Sequence, residues 1–172
     1  MGSVLVIGGG AAGLAAAIAA AECGDTVTVA EKMDRVGKKI LATGNGRCNL
    51  MNTGAPRYPG NAAFAADVLS CCGAEAQKAF WEHLGLRLRQ EEAGRVYPVS
   101  SQASSVLDAL RLQLTALHVR VVAGVSITAR ACCVAWANMA GKSTASISQF
   151  VPKQLMASQT PFSAVSPSVR LR

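Results

Sequence analysis

A glycine turn caught between an apolar run and an alanine-rich run is the feature that most constrains this chain. Ser3–Ile7 is a short, β-branched apolar stretch, of the kind that forms a strand covered on both faces. Gly8, Gly9, Gly10, Ala11, Ala12 and Gly13 follow and open a helix that runs to about Cys23, where Gly24 and Asp25 stop it. Thr26–Ala30 is a second strand, closing on the acidic Glu31. A strand, a helix and a strand within about 30 residues predict parallel pairing through a right-handed crossover. The expected fold class is therefore α/β, with a parallel sheet.

The spacing Gly8-x-Gly10-x-x-Gly13 gives each glycine a task. Gly8 permits the tight turn, Gly10 lets a pyrophosphate approach the backbone, and Gly13 lets helix and strand pack closely. The helix N-terminus offers unpaired N–H groups and a partial positive charge to phosphates. Glu31 stands 18 residues after Gly13, where a carboxylate accepts hydrogen bonds from a ribose hydroxyl pair. Such a Rossmann-type βαβ unit predicts a dinucleotide site. A carboxylate at residue 31 repels a 2′-phosphate and disfavours NADP, although Lys32 beside it softens that repulsion. FAD and NAD both remain open on this unit alone.

Charge does not point elsewhere. The chain has 172 residues and a net charge of +7, yet all ten acids lie between Glu22 and Asp108, where they balance ten bases. The excess belongs to Arg111, Arg120, Arg130, Lys142, Lys153, Arg170 and Arg172, scattered singly without interleaved aromatics. That is not a nucleic-acid groove, and no nucleic-acid partner is expected. Ser3–Ala21 is 19 residues without a charge, but no base precedes it and three glycines sit at its centre, so no membrane or export segment is expected. Cysteines 23, 48, 71, 72, 132 and 133 contain no C-x-x-C pair and no nearby His, which predicts reduced, cytoplasmic thiols and no metal site.

Further along, residues 33–61 are rich in Gly, Asn and Pro and read as a long loop. Helices are expected over Ala62–Cys72 and Glu75–Leu84, and a hairpin pairs Leu86–Arg89 with Val96 and Tyr97 around Glu91–Gly94. A helix from Ser105 to about Leu117 stacks Val106, Leu110, Leu114 and Leu117, with Ser104 or Ser105 as its cap. Val119–Val122 follows as a strand. His83 and His118 lie in helical contexts and read as surface or cap residues rather than catalytic bases.

Within the long loop, Thr43-Gly44-Asn45-Gly46-Arg47-Cys48-Asn49 resembles the hallmark of a bacterial flavoprotein family, the aminoacetone-oxidase-like NAD(P)/FAD-dependent oxidoreductases. Gly94-Arg95-Val96-Tyr97-Pro98, followed by Ser100 or Ser101 and Ala103, is similar to the same family. The resemblance covers about residues 1–125 and implies FAD on the N-terminal unit. It implies that Gly8, Gly10 and Gly13 and the amides of Ala11 and Ala12 hold the pyrophosphate, and that Glu31 holds the adenosine ribose. It further implies that Thr43, Gly44, Gly46, Arg47, Cys48 and Asn49 line the flavin-ward half, with NAD(P)H as an electron partner and a small molecule as substrate. Read from the residues themselves, Gly44 and Gly46 can bring backbone N–H groups close to a ligand, and Arg47 can pair with phosphate or with the charge of a reduced flavin. The alternatives are a surface ion pair for Arg47 and simple packing for Cys48, the latter favoured over redox chemistry. Met51 departs from the family, which carries Thr there, and the lost hydroxyl is expected to weaken a local turn.

From residue 126 the character changes. Residues 126–172 contain no acid, eight Ser, and Pro152, Pro161 and Pro167, without a sustained apolar period. We expect residues 1–125 to form the FAD-binding domain, the N-terminal portion of a larger flavoprotein, and residues 126–172 to be an irregular or out-of-frame tail. Three readings stay open: part of a flavin-dependent oxidoreductase, a truncated or frame-shifted product of such a gene, and a non-enzymatic nucleotide-binding module whose basic tail docks on an acidic partner. No catalytic residue is named.

Overall fold

The computed structural model describes residues 2–54 and 58–127, so the expectations for the tail from residue 128 lie outside the described residues. The elements in chain order are β1 (Ser3–Ile7), α1 (Ala11–Glu22), β2 (Thr26–Glu31), β3 (Met51–Asn52), α2 (Ala62–Cys71), α3 (Ala74–His83), β4 (Leu88–Gln90), β5 (Arg95–Pro98), α4 (Ala103–Ala116) and β6 (Arg120–Ala123). Short turns lie at Ile40–Gly46, where the chain kinks at Thr43, Gly44 and Asn45, and at Glu92–Gly94, where Ala93 is left-handed. The described residues divide into two compact units, one of residues 2–36 and 116–127, the other of residues 37–54 and 58–115.

The first unit is the α/β layer the sequence predicts. Its sheet has the order β1-β2-β6 and is parallel throughout, with Ser3 opposite Thr26, Ile7 opposite Ala30, and Thr28 opposite Arg120. α1 is two-thirds alanine, the best helix former, and it packs on β1 and β2. Leu14, Ala17 and Ile18 recur at helical spacing on its inner face and are fully buried. Burial on both faces falls on β2, where Val27, Val29 and Ala30 are buried, rather than on β1 as expected. β2 is the middle strand, shielded by a neighbour on each side. β1 flanks it, and Ile7 remains 42% exposed.

In the second unit the region read as a loop contributes a strand. β3 pairs antiparallel with β5, Met51 opposite Val96, and β5 pairs antiparallel with β4, Arg89 opposite Tyr97. The predicted hairpin is therefore present and widened to three strands. Met51 is buried in that ladder, so the residue that departs from the family pattern serves as an apolar strand position and not as a turn. The Asn61 side chain accepts the Phe64 N–H at 3.0 Å and caps α2. Phe80 and Trp81 on α3 meet edge to face at 5.1 Å.

α4 starts at Ala103, so the expected caps Ser104 and Ser105 lie inside its first turn. Ser101, left-handed at φ 54, donates its N–H to Pro98 O at 2.8 Å and turns the chain so that buried Ala103 joins the helix. Val106, Leu107, Leu110 and Leu114 are buried along it, and Leu117 is half-buried just beyond its end. His118 follows in the left-handed conformation that ends helices, φ 55, so it is a turn residue.

Candidate functional site

The glycine turn of the first unit is shaped by contacts that leave no room for side chains at two positions. Gly8, at φ 101, donates its N–H to Ala30 O at 2.8 Å and so continues the β1–β2 ladder into the turn. A Cβ on Gly13 would lie 1.9 Å from Gly8 O, which confirms that this glycine lets α1 sit close against β1. A Cβ on Gly9 would lie 2.4 Å from Val36 Cγ1. Gly9 was not singled out by its spacing, and only the doubled glycine beside the pattern could have marked it.

Gly10 is different. It is the residue before α1, its backbone is extended at φ −82, and nothing lies within 4 Å of the place its Cβ would take. No side chain caps α1 and no acid stands in its first turn. Ala11 and Ala12 are exposed there. The helix end therefore presents its first amides and its partial positive charge beside open space.

Glu31 ends β2 and turns its carboxylate back to this glycine turn. Oε2 accepts the Gly9 N–H at 2.6 Å and Oε1 accepts the Met33 N–H at 2.7 Å. The two bonds fix the carboxylate plane, and a carboxylate with about four acceptor positions keeps two for further donors. A ribose hydroxyl pair has the matching chemistry. Lys32 is exposed on the adjoining surface.

The loop 43–49 belongs to the second unit. Gly44, Asn45, Gly46 and Cys48 all have positive φ, between 54° and 80°. A Cβ on Gly44 would lie 2.7 Å from Asn49 N, so the close turn requires glycine. Arg47 N–H donates to Gly44 O at 3.1 Å, Cys48 N–H to Thr43 O at 3.0 Å, and Thr43 Oγ1 to Ile40 O at 2.7 Å. The loop thus curls on itself with residues 43–46 exposed at its tip and Cys48 buried beneath. Burial agrees with the packing role favoured for Cys48.

Arg47 is held by residues far away in sequence. Its guanidinium donates to Glu91 Oε1, and its Cζ lies 4.1 Å from the centroid of the Tyr97 ring. Arg89 donates to the same Glu91 oxygen at 2.8 Å and to Ser101 Oγ at 3.0 Å. Glu91, Arg89, Tyr97 and Ser101 escaped the sequence reading as partners of Arg47, since nothing local ties residue 47 to residue 91. The Arg47 hydrogen bond holds the Glu91 carboxyl below its ordinary 4.5; partial burial opposes this, and the Arg89 bond and both positive charges reinforce it. The sign follows: a lowered folded value adds stability that is present above 4.5 and lost as the pH falls through the lower folded value. Chemical denaturation of wild type and Glu91→Gln is expected to show a constant stability gap at neutral pH that closes only below 4.5.

Among the described residues, no cluster of three or more His, Cys, Asp or Glu could hold a metal ion, and no helix is long and apolar enough to cross a membrane. Cys23, Cys71 and Cys72 are exposed free thiols.

A parallel βαβ layer with a tight glycine turn, an uncapped helix start and an acid ending the second strand defines a Rossmann-type domain. The chain belongs to the HI0933-like protein Rossmann domain family, whose model matches residues 2–154. That match continues past residue 125, where the sequence resemblance stops. The chain is 44% identical over 134 residues to a 3-dehydro-bile acid delta(4,6)-reductase of Clostridium scindens, a match covering 75% of this chain and 32% of the relative. It therefore spans about a third of that protein's length. Among solved structures it is similar to THI4 of Thermovibrio ammonificans, with a TM-score of 0.49 and 17% identity, covering 72% of this chain and 39% of that one. It is also similar to NikD, described as an unusual amino acid oxidase essential for nikkomycin biosynthesis, with a TM-score of 0.35 and 18% identity, covering 74% and 45% of the two chains.

Proposed function

We propose that this chain is the FAD-binding part of a flavin-dependent oxidoreductase. The observation that carries the reading is the open, uncapped start of α1 at Gly10, next to a Glu31 carboxylate already fixed by Gly9 and Met33. The residues fit the group. The first amides of α1, at Ala11, Ala12 and Gly13, take the pyrophosphate oxygens, and Gly10 lets those oxygens approach the backbone. Glu31 takes the adenosine ribose hydroxyls with the acceptor positions its two backbone bonds leave. Its negative charge, only partly offset by Lys32, turns away a ribose that carries a 2′-phosphate.

FAD, when bound, supplies the electron-transfer chemistry, and the protein supplies binding and orientation. The loop Thr43–Asn49 provides contacts toward the flavin, with Thr43, Gly44, Gly46, Arg47, Cys48 and Asn49 as its residues. The finer assignment, an enzyme like aminoacetone oxidase acting in the cytoplasm on a small organic substrate with NAD(P)H as electron partner, is part of the same proposal and rests on that loop. The relative from Clostridium scindens, named as a reductase, supports a redox role.

The test is a visible absorption spectrum of the purified chain, followed by denaturation and identification of any released nucleotide. A flavin spectrum that yields FAD, or saturable binding of added FAD with no binding of NADP, is the expected result. A colourless protein that rejects added FAD overturns the reading.

A further inference from the structure

The group around Arg47 is more ordered than a surface arginine needs. Three separate interactions converge: the ion pair with Glu91, the Tyr97 ring beneath the guanidinium, and a second arginine, Arg89, tied to the same carboxylate oxygen and anchored on Ser101. Tyr97 is itself buried, so the surface on which Arg47 rests is fixed. The loop that carries Arg47 is also fixed, by the turn hydrogen bonds on either side of it. Even so, the Arg47 side chain is 38% exposed, and a guanidinium has five donors, of which Glu91 takes one. Two guanidinium groups share one carboxylate, which leaves the cluster one positive charge in excess.

We propose that Glu91 and Tyr97 are positioning residues that hold the Arg47 guanidinium in one orientation so that its remaining donors face an anion, with Arg89 keeping the cluster net positive. The inference rests on the FAD reading, which makes that anion either the pyrophosphate or the negatively charged ring of the reduced flavin. A guanidinium stacked on a ring and pinned at one edge loses little freedom when its other edge meets a ligand, and such preorganisation raises affinity. Glu91 acts only through Arg47 and touches no ligand itself.

Two measurements test this. In ligand-free protein labelled with ¹⁵N-arginine, the Arg47 Nε resonance is expected to stand apart from those of solvated arginines and to move among them in Glu91→Gln. An Arg47 signal unchanged by Glu91→Gln overturns the positioning role, whatever the protein binds. The second measurement is FAD titration of wild type, Arg47→Ala, Glu91→Gln and the double variant, with oxidised and with photoreduced FAD. Each single variant is expected to weaken binding about tenfold, the scale of one hydrogen bond to a charged group. The double variant is expected to bind no more weakly than Arg47→Ala, because Glu91 has nothing to position once Arg47 is gone. Equal weakening with both forms assigns the anion to the pyrophosphate, and weakening with the reduced form alone assigns it to the flavin ring. If Glu91→Gln weakens binding equally with and without Arg47, or not at all, the proposal fails. Wild type that binds neither form of FAD sinks the FAD reading instead, an outcome distinct from the others.

Discussion

Gly13→Ala is expected to destabilise the first unit strongly. The added methyl would sit 1.9 Å from the Gly8 carbonyl oxygen and 3.1 Å from its carbon, and both are backbone atoms that cannot rotate away. Relief requires α1 to lift from β1. That motion opens the contact in which Leu14, Ala17 and Ile18 are fully buried. Overpacking of a close contact usually costs about 1–3 kcal/mol, and a clash with rigid backbone lies at or above the upper end. A loss of about 3 kcal/mol or more is a large share of the roughly 5–15 kcal/mol by which a domain is stable. Alanine is the better helix former, so helix propensity opposes this loss and cannot be its source. Thermal melting followed by circular dichroism is the check. A Gly13→Ala protein that melts with wild type would mean that strand and helix are not in this close contact.

Gly10→Val, three residues earlier, is expected to have the opposite profile. Nothing lies within 4 Å of the Cβ position, and the backbone at φ −82 is one that any residue adopts. The folded chain should tolerate the side chain with little change in melting temperature. The branched side chain would instead fill the space through which, on the proposed FAD reading, phosphate oxygens reach the first amides of α1. Affinity for FAD should fall about 100-fold or more, equivalent to about 2.8 kcal/mol. Isothermal titration with FAD, beside a melting curve, reads both properties from one sample. Unchanged FAD affinity in a folded Gly10→Val protein would place the cofactor somewhere other than this turn. The pair of glycines thus tests two causes for one motif: the protein's own packing at Gly13, and the proposed approach of a ligand at Gly10.

Much of the first unit was legible because its signals are local. A strand over Ser3–Ile7, a helix to about Cys23 and a strand over Thr26–Ala30 are readable from apolar runs and glycine punctuation; the elements lie at Ser3–Ile7, Ala11–Glu22 and Thr26–Glu31, with the expected parallel pairing. Gly13 could be assigned from spacing alone, because a strand that turns at Gly8 directly into a helix brings the first turn of that helix back against residue 8. Failures came where burial overrode a local preference. Ser104 and Ser105 look like caps, yet α4 starts at Ala103, whose methyl is buried. Met51 looked like a lost turn hydroxyl and proved to be a buried strand residue.

The sequence by itself determined the βαβ unit, the need for glycine at residues 8 and 13, and the acid that ends the second strand. Each depends on residues close along the chain, or joined by one short crossover whose handedness is fixed. Only the tertiary structure decided what holds Arg47. Tyr97 reaches it because β5 is the middle strand of its sheet, and Glu91 because the turn between β4 and β5 carries it there. Residues 47 and 91 are joined by strand pairing across 44 positions. No local propensity encodes such a pairing, and it exists only once the sheet has closed.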